Sequence, residues 1–483
     1  MSTLFAIAVG LAMSCMTSSS PSVPKPEAAT KPSPDVLVIV LDTVRADMMS
    51  TYGHKHPTSP QLDAVADAGV TFEDATAPSS WTWPSHASLF TGTAPWEHGA
   101  HASLKAEGVG LSDGHWGLLA MRKDLPTMAE QFSAAGYRTV SVASNRFLDP
   151  KLGLTRGFQV AEIMPDSQLA DRIGAVLTED DERPLFLFVN ILIAHAPWEV
   201  FPAAWSKPHG ERLGSAETAP AWAKGYLMDV PGGLDFYQTR DGASRGGFRQ
   251  LIAGDITIPP EDMPIIEDLY TAGINAADFI MHRIVTQWTA YSPQGIVAVT
   301  SDHGEYLGEH GLWEHGKTVF TEVVDVPLVI AAPGRLPKGK RVSTPVQMQD
   351  LHDTLLQLAD LPGDHPHSLV PVANGGPRDR PIQAKAWASR PWKESMGGIF
   401  AYDWSLYREG NRALVFSSNG DRFLYDMDTD PGMTRDLATL QPDAVADLWS
   451  RAEGAFRETA ASTSSAEMSA DMIEELKALG YLE

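Results

Sequence analysis

Val36-Leu37-Val38-Ile39-Val40-Leu41-Asp42-Thr43 decides the fold. Six apolar residues follow one another with Pro34 upstream and an acid immediately downstream. A strand with one wet face alternates polar and apolar positions, whereas a strand covered on both faces does not. The run therefore predicts a buried strand of a mainly parallel sheet, with Asp42 delivered at its carboxyl end. Similar runs from Thr139 to Ala143, Leu185 to Ile193, Gly295 to Thr300 and Pro327 to Ala331 predict further strands. Helical patterns lie between them: Pro60 to Ala68 before Gly69, Pro126 to Ala135 before Gly136, and a longer one from about Pro264 to Trp288. Proline near the start and glycine past the end suit the two unlike helix termini. Strand and helix alternating in this way give an α/β fold with a doubly wound sheet.

In open sheets of this kind ligands collect beyond the carboxyl ends of the strands. Three predicted strands end in chemistry: Asp42-Thr43 after the first, His195 after the run from Leu185, and Asp302-His303 after the run from Gly295. Asn145 lies just past another and could contact an oxyanion. The expected site is assembled across the sheet rather than carried by one loop.

The segment Thr82-Trp83-Pro84-Ser85-His86-Ala87-Ser88-Leu89-Phe90-Thr91-Gly92 adds a hydroxyl, a proline-opened short helix and a closing glycine. A helix N-terminus presents free N–H groups and a positive dipole end to an anion such as phosphate or sulfate. The bland alternative is a surface helix with Thr82 as its cap. The segment resembles the signature of the sulfatases within the alkaline phosphatase superfamily, in which a cysteine or serine leads a Pro-Ser-Arg element. Here threonine leads, and His86 stands where the arginine would be. Further segments resemble the same family in order: Asp42 to Asp47 with Tyr52-Gly53 and Thr58 to Asp63, Ser301 to Glu305 with Gly308 to Gly311, Val326 to Ile330, and Leu424 to Leu437.

The resemblance implies an alkaline-phosphatase-like α/β core with a smaller C-terminal α+β subdomain. It implies a metal held by Asp42, Asp302, His303 and Thr82. Two carboxylates and an imidazole suit Zn²⁺ or Mn²⁺, with Ca²⁺ or Mg²⁺ possible, because nitrogen in place of oxygen moves preference toward a transition metal. Thr82 is then the nucleophile, activated by coordination. No formylglycine is expected, since the chain's one cysteine is Cys15. His195 and His315 are expected to be catalytic, and His86, Asn145 and Lys317 to bind substrate, with Lys317 the alternative to His315 as the anion-binding group. His310 reads as a structural or rim residue.

Composition narrows the partners. The 483 residues are 43 % hydrophobic and 20 % charged, which is globular rather than disordered. With 37 basic against 61 acidic residues, a net charge of −24 argues against nucleic acid and anionic lipid as partners. An anionic substrate must therefore be drawn in by local charge, such as a metal. Residues 1–34 read as a signal peptide, with lipoprotein character at Cys15, followed by a flexible tether. Residues 35–365 read as the catalytic α/β domain and 366–483 as the C-terminal subdomain, with antiparallel strands around Arg412 to Phe416 and Arg422 to Tyr425 and helices at Ala444 to Thr459 and Ala470 to Leu479. The stretch from His195 to Glu261 reads as a specificity insertion. The expected protein is an exported hydrolase of a phosphate or sulfate ester, periplasmic or at the cell surface, with or without a lipid anchor, phosphoesters favoured on chemistry. The substrate is a small molecule, glycan or lipid headgroup. The alternatives are a sulfuric ester hydrolase and a catalytically silent binder of anionic glycan or lipid headgroup. A silent relative would be expected to lose the metal set, which is intact here.

Overall fold

A computed structural model describes residues 33–103, 117–196, 198, 205, 257–388 and 398–457. The leader with Cys15, most of the insertion between His195 and Glu261, and the helix expected at Ala470 to Leu479 lie outside the described residues. Residues from Ser33 onward form one compact unit.

Eight strands build the main sheet: β1 (Val36–Leu41), β2 (Val70–Phe72), β3 (Arg138–Ala143), β4 (Val160–Ile163), β5 (Leu185–Ile191), β6 (Ile296–Thr300), β7 (Leu328–Ala331) and β8 (Lys340–Val342). Their spatial order is β8-β2-β7-β6-β1-β5-β3-β4. β1 pairs in parallel with β5 and β6, and β3 continues in parallel on the far side of β5. β7 is antiparallel to both of its neighbours. An apolar run carries no signal of direction, and a strand that returns beside its predecessor without crossing the sheet face must run antiparallel.

Alternate residues of β1 enter opposite cores, as a doubly covered strand requires. Val36, Val38 and Val40 pack with residues of α2 (Thr82–Thr91), α3 (Met128–Ala134) and α6 (Leu351–Leu358). Leu37, Ile39 and Leu41 pack with α1 (Pro60–Ala68), α4 (Asp166–Leu177) and the long α5 (Met263–Tyr291). Fully burying side chains of this size contributes about 1.5–3 kcal/mol each, so the central strands form a stiff platform for whatever their ends carry. No helix among the described residues is long and apolar enough to cross a membrane.

A second, antiparallel sheet orders β9 (Ile382–Ala386), β10 (Trp404–Glu409), β11 (Arg412–Ser417) and β12 (Arg422–Asp426) side by side. One face packs on Tyr306, Val319, Phe320 and Val323; the other takes Leu448 and Ala452 of α7 (Pro442–Ala452). Its inner face therefore braces the segment that follows β6.

Candidate active site

The four central strands β6, β1, β5 and β3 lie side by side, and their carboxyl ends deliver Asp302 and His303, Asp42, His195, and Asn145. α2 brings Thr82 to the same place. Asp42, Asp302 and His303 are wholly buried, and one donor atom from each lies within 4.8 Å of the others.

Each ligand is held by its other atoms. Asp42 Oδ2 accepts hydrogen bonds from Nδ2 of Asn145 and of Asn190, both at 2.9 Å. Asp302 Oδ1 accepts from the backbone N–H of Thr43 at 3.2 Å and of His303 at 3.1 Å. His303 Nδ1 lies 3.0 Å from Gly304 O, so that nitrogen carries the proton and donates it. What remains is Asp42 Oδ1 and Asp302 Oδ2, which have no hydrogen-bond partner among the described residues, and the lone pair of His303 Nε2. His303 Nε2 sits 3.4 Å from Asp302 Oδ2 and 4.0 Å from Asp42 Oδ1. Two buried, unsatisfied carboxylate oxygens cost free energy unless a cation answers them. An imidazole fixed by its second nitrogen is the usual form of a metal-binding histidine. The residues present therefore fit a divalent cation.

The protonation equilibria follow from burial. Removal from water, reinforced by the Asp302 carboxylate, raises the pKa of Asp42. Burial pushes Asp302 up to about 7 and His303 down to about 4. Carboxylates that resist ionisation beside an imidazole that resists protonation make a centre short of positive charge.

Thr82 is the first residue of α2. Trp81 occupies the capping position and makes no side-chain cap bond, so the bland reading of Thr82 as the cap does not hold. Pro84 lies in the first turn, where a missing N–H costs nothing, and Gly92 closes the helix with φ +68°. The wholly buried Thr82 hydroxyl lies 3.4 Å from His303 Nε2 and accepts from Asn145 Nδ2 at 3.3 Å. Thr82 thus joins the cluster that Asp42, Asp302 and His303 form.

His86, one turn along α2, is also wholly buried. Its Nδ1 is 3.0 Å from Thr82 O and 3.4 Å from Asp302 Oδ2, while its ring packs against Phe90 and Phe188. Burial lowers its pKa, which keeps it neutral. Where the resembled family carries a cationic arginine, this chain has a neutral ring that steadies the first helical turn.

The histidines on the other rim meet by their rings. His315 lies 4.3 Å from His303 and 5.0 Å from His195, centroid to centroid. Its Nδ1 is 3.2 Å from a carboxylate oxygen of the buried Glu305. His195 Nδ1 is 2.5 Å from Ala196 O. Lys317 Nζ donates to Glu314 Oε2 at 2.6 Å and to Trp313 O at 2.7 Å. Of the two alternatives for the anion-binding role, His315 is the one whose ring lies against His303 of the cluster, tilted by 38°. His310 stacks on Phe320 at 4.4 Å and reaches Glu322 at 3.2 Å, as a rim residue would.

Three supporting residues were not anticipated. Asn190 is a lone amide inside an apolar strand, and that break in pattern was its signal. Glu305 belongs to the segment that carries Asp302 and His303, but its reach to His315 depends on the intervening loop. Tyr270 donates its hydroxyl to Thr43 O at 2.6 Å and accepts from Arg45 N at 3.0 Å. It thereby pins Thr43 at φ +61°, a conformation that a β-branched residue adopts only under restraint. Gly304 is irreplaceable for a different reason: a Cβ there would fall 2.1 Å from Glu322 O.

Comparison with known proteins bears on the family and the fold. Residues 34–361 match the family model for sulfatases. A sulfatase of Formosa agariphila is 24 % identical over 411 residues, covering 75 % of each chain. A structure solved in complex with its substrate D-glucosamine-2-N,6-O-disulfate superposes with a TM-score of 0.64 at 16 % identity, covering 89 % of this chain and 99 % of that one. A phosphonate monoester hydrolase of Agrobacterium radiobacter superposes with a TM-score of 0.60 at 19 % identity, covering 88 % and 95 %. The chain belongs to the sulfatase family, a class of hydrolases acting on sulfate or phosphate esters.

Proposed function

We propose that the protein is an exported, metal-dependent ester hydrolase that uses Thr82 as its nucleophile and favours phosphoric monoesters or diesters over sulfuric esters. The observation that carries this reading is the Thr82 hydroxyl, buried at the head of α2 within hydrogen-bonding distance of Asn145 and close to His303. A divalent cation held by Asp42, Asp302, His303 and Thr82, Zn²⁺ or Mn²⁺ by the mixed oxygen and nitrogen donors, would supply the positive charge that makes this hydroxyl a nucleophile at neutral pH.

The chain's own groups do the rest. Asn145 Nδ2 donates to Thr82 Oγ1 and steadies negative charge as the hydroxyl proton passes to solvent. The oxygen attacks phosphorus in line, forming the threonine O–P bond as the bond to the leaving alcohol breaks. The amides at the start of α2 and the histidines at 195 and 315 face the developing anion, and one histidine returns a proton to the departing oxygen. Water then attacks phosphorus, giving its proton to that histidine as the threonine O–P bond breaks; phosphate leaves from a monoester or a phosphomonoester from a diester, and Thr82 regains its proton. Threonine allows no other exit. A formylglycine hydrate can expel sulfate by breaking its own C–O bond, a route that an unmodified Thr82 lacks. Positive groups also gain more from the two charges of a phosphoric monoester than from the single charge of a sulfuric ester, while the exit route alone favours a diester.

Comparing kcat/KM for matched aryl phosphate, phosphodiester and aryl sulfate substrates tests the reading. A phosphoric ester should lead by at least about tenfold, roughly 1.4 kcal/mol of transition-state binding. A lead for the sulfate would favour sulfuric ester hydrolysis, the activity named for the sulfatase relatives. Export, with Cys15 as the lipidated residue, belongs to the same proposal: Cys15→Ala should release membrane-associated protein into the soluble fraction.

A further inference from the structure

We infer that Asn190 is a positioning residue that makes Asp42 a one-oxygen metal ligand and sets the angle at which Asn145 meets Thr82. The inference rests on the ligand set proposed above. Asn190 stands one residue before the end of β5, the strand between those that carry Asp42 and Asn145. In register it lies beside Val40 of β1 and Ala143 of β3, so it is an amide among apolar neighbours, wholly buried. Burying an amide without hydrogen bonds is costly.

The bonds it makes explain why an amide is placed there. Its Nδ2 donates to Asp42 Oδ2 at 2.9 Å, and its Oδ1 accepts the backbone N–H of Asn145 at 3.1 Å. Asn145 spends its own Nδ2 on the same Asp42 oxygen and on Thr82 Oγ1, while its Oδ1 accepts from Phe147 N at 3.0 Å. Asp42 Oδ2 thus receives two amide donors and is oriented away from a cation, leaving Oδ1 to bind. A leucine of similar size would fill the space and supply none of these contacts. A mere packing role would need no donor at this position, and a mere loop tie would need no contact with Asp42.

The test uses Asn190→Leu and the isosteric Asn190→Asp, which puts an acceptor where the donor was. Affinity for Zn²⁺ is measured by competition with a chromogenic chelator, and the melting temperature of the metal-free protein is recorded beside it. Loss of a residue that orients a ligand costs about 10–100-fold in metal affinity. Both variants should weaken Zn²⁺ binding by that factor, and kcat should fall while KM changes little. A folded Asn190→Leu or Asn190→Asp protein that binds Zn²⁺ as tightly as wild type would overturn the inference. So would variants whose whole loss appears in the metal-free melting temperature. Asp302→Ala separates the two levels: if wild-type Zn²⁺ binding does not depend on Asp302, the ligand set itself is wrong, and not only the part given to Asn190.

Discussion

The site has two unlike halves. On one side Asp42, Asp302, His303, Asn145 and Asn190 sit on or just past the ends of adjacent core strands, and hydrogen bonds hold all but the atoms that face inward. On the other side His195, His315 and Lys317 come from longer connections and are anchored by Ala196 O, Glu305 and Glu314. The first half has its geometry set by the sheet. The second has its geometry set by loop-to-loop contacts. The difference suggests a division of labour in which strand ends fix the nucleophile and the charge that activates it, and loops meet whatever substrate arrives.

That division predicts unequal losses. Thr82→Ala should lower turnover by at least about 10³-fold, since the covalent route depends on its hydroxyl. The variant should keep its fold, which circular dichroism and melting would show. Chelation, or Asp302→Ala, should abolish activity as well, and here melting should also drop. A cation bound only by the native state at a hundred times its Kd contributes about 2.7 kcal/mol. Unchanged melting in a verified metal-free sample would argue against a cation at the strand ends.

The loop half should answer more gently. His315→Gln keeps a side chain that can hydrogen-bond but removes general acid or base chemistry, for which about 10²–10⁴-fold is typical. Lys317→Met should cost less in kcat, because its Nζ is engaged by Glu314 and Trp313. If Lys317→Met proved worse than His315→Gln, the anion-binding role would pass to the lysine.

The smallest effect belongs to the scaffold behind both halves. Asp278 on α5 accepts the backbone N–H groups of Gln61 and Leu62, at the start of α1, each at 2.9 Å. Burial outweighs these bonds and pushes its pKa up to about 7. Between the ordinary carboxylate range and about 7 the native state holds a proton that the unfolded chain has released. Its contribution to stability is therefore full in acid and lost as pH rises through about 7. Asp278→Asn should flatten that slope in melting curves recorded across pH, without altering Zn²⁺ affinity.

The sequence made the strand-end half legible because both of its signals are local. Continuous apolar runs announce covered strands, and a polar residue just past such a run lands at the mouth of the sheet. Asp42, Asn145, Asp302 and His303 are reached this way, and the same signal reaches His195 of the loop half, which follows β5. The direction of β7 was not legible, since nothing in Leu328-Val329-Ile330-Ala331 distinguishes a parallel from an antiparallel strand. Glu305 and Tyr270 were not anticipated because their partners lie 10 and 227 residues away in the chain. His86 could be read as a departure from the family pattern, but not as a neutral prop beneath Thr82 O. That depends on the depth at which α2 is buried.

Acid quenching during turnover of an aryl phosphate, followed by mass mapping of the peptides, tests the central claim most directly. The account predicts a phosphoryl group on the peptide that carries Thr82, absent from Thr82→Ala. A phosphoryl group on another residue, or a Thr82→Ala protein that turns over at the wild-type rate, would contradict it.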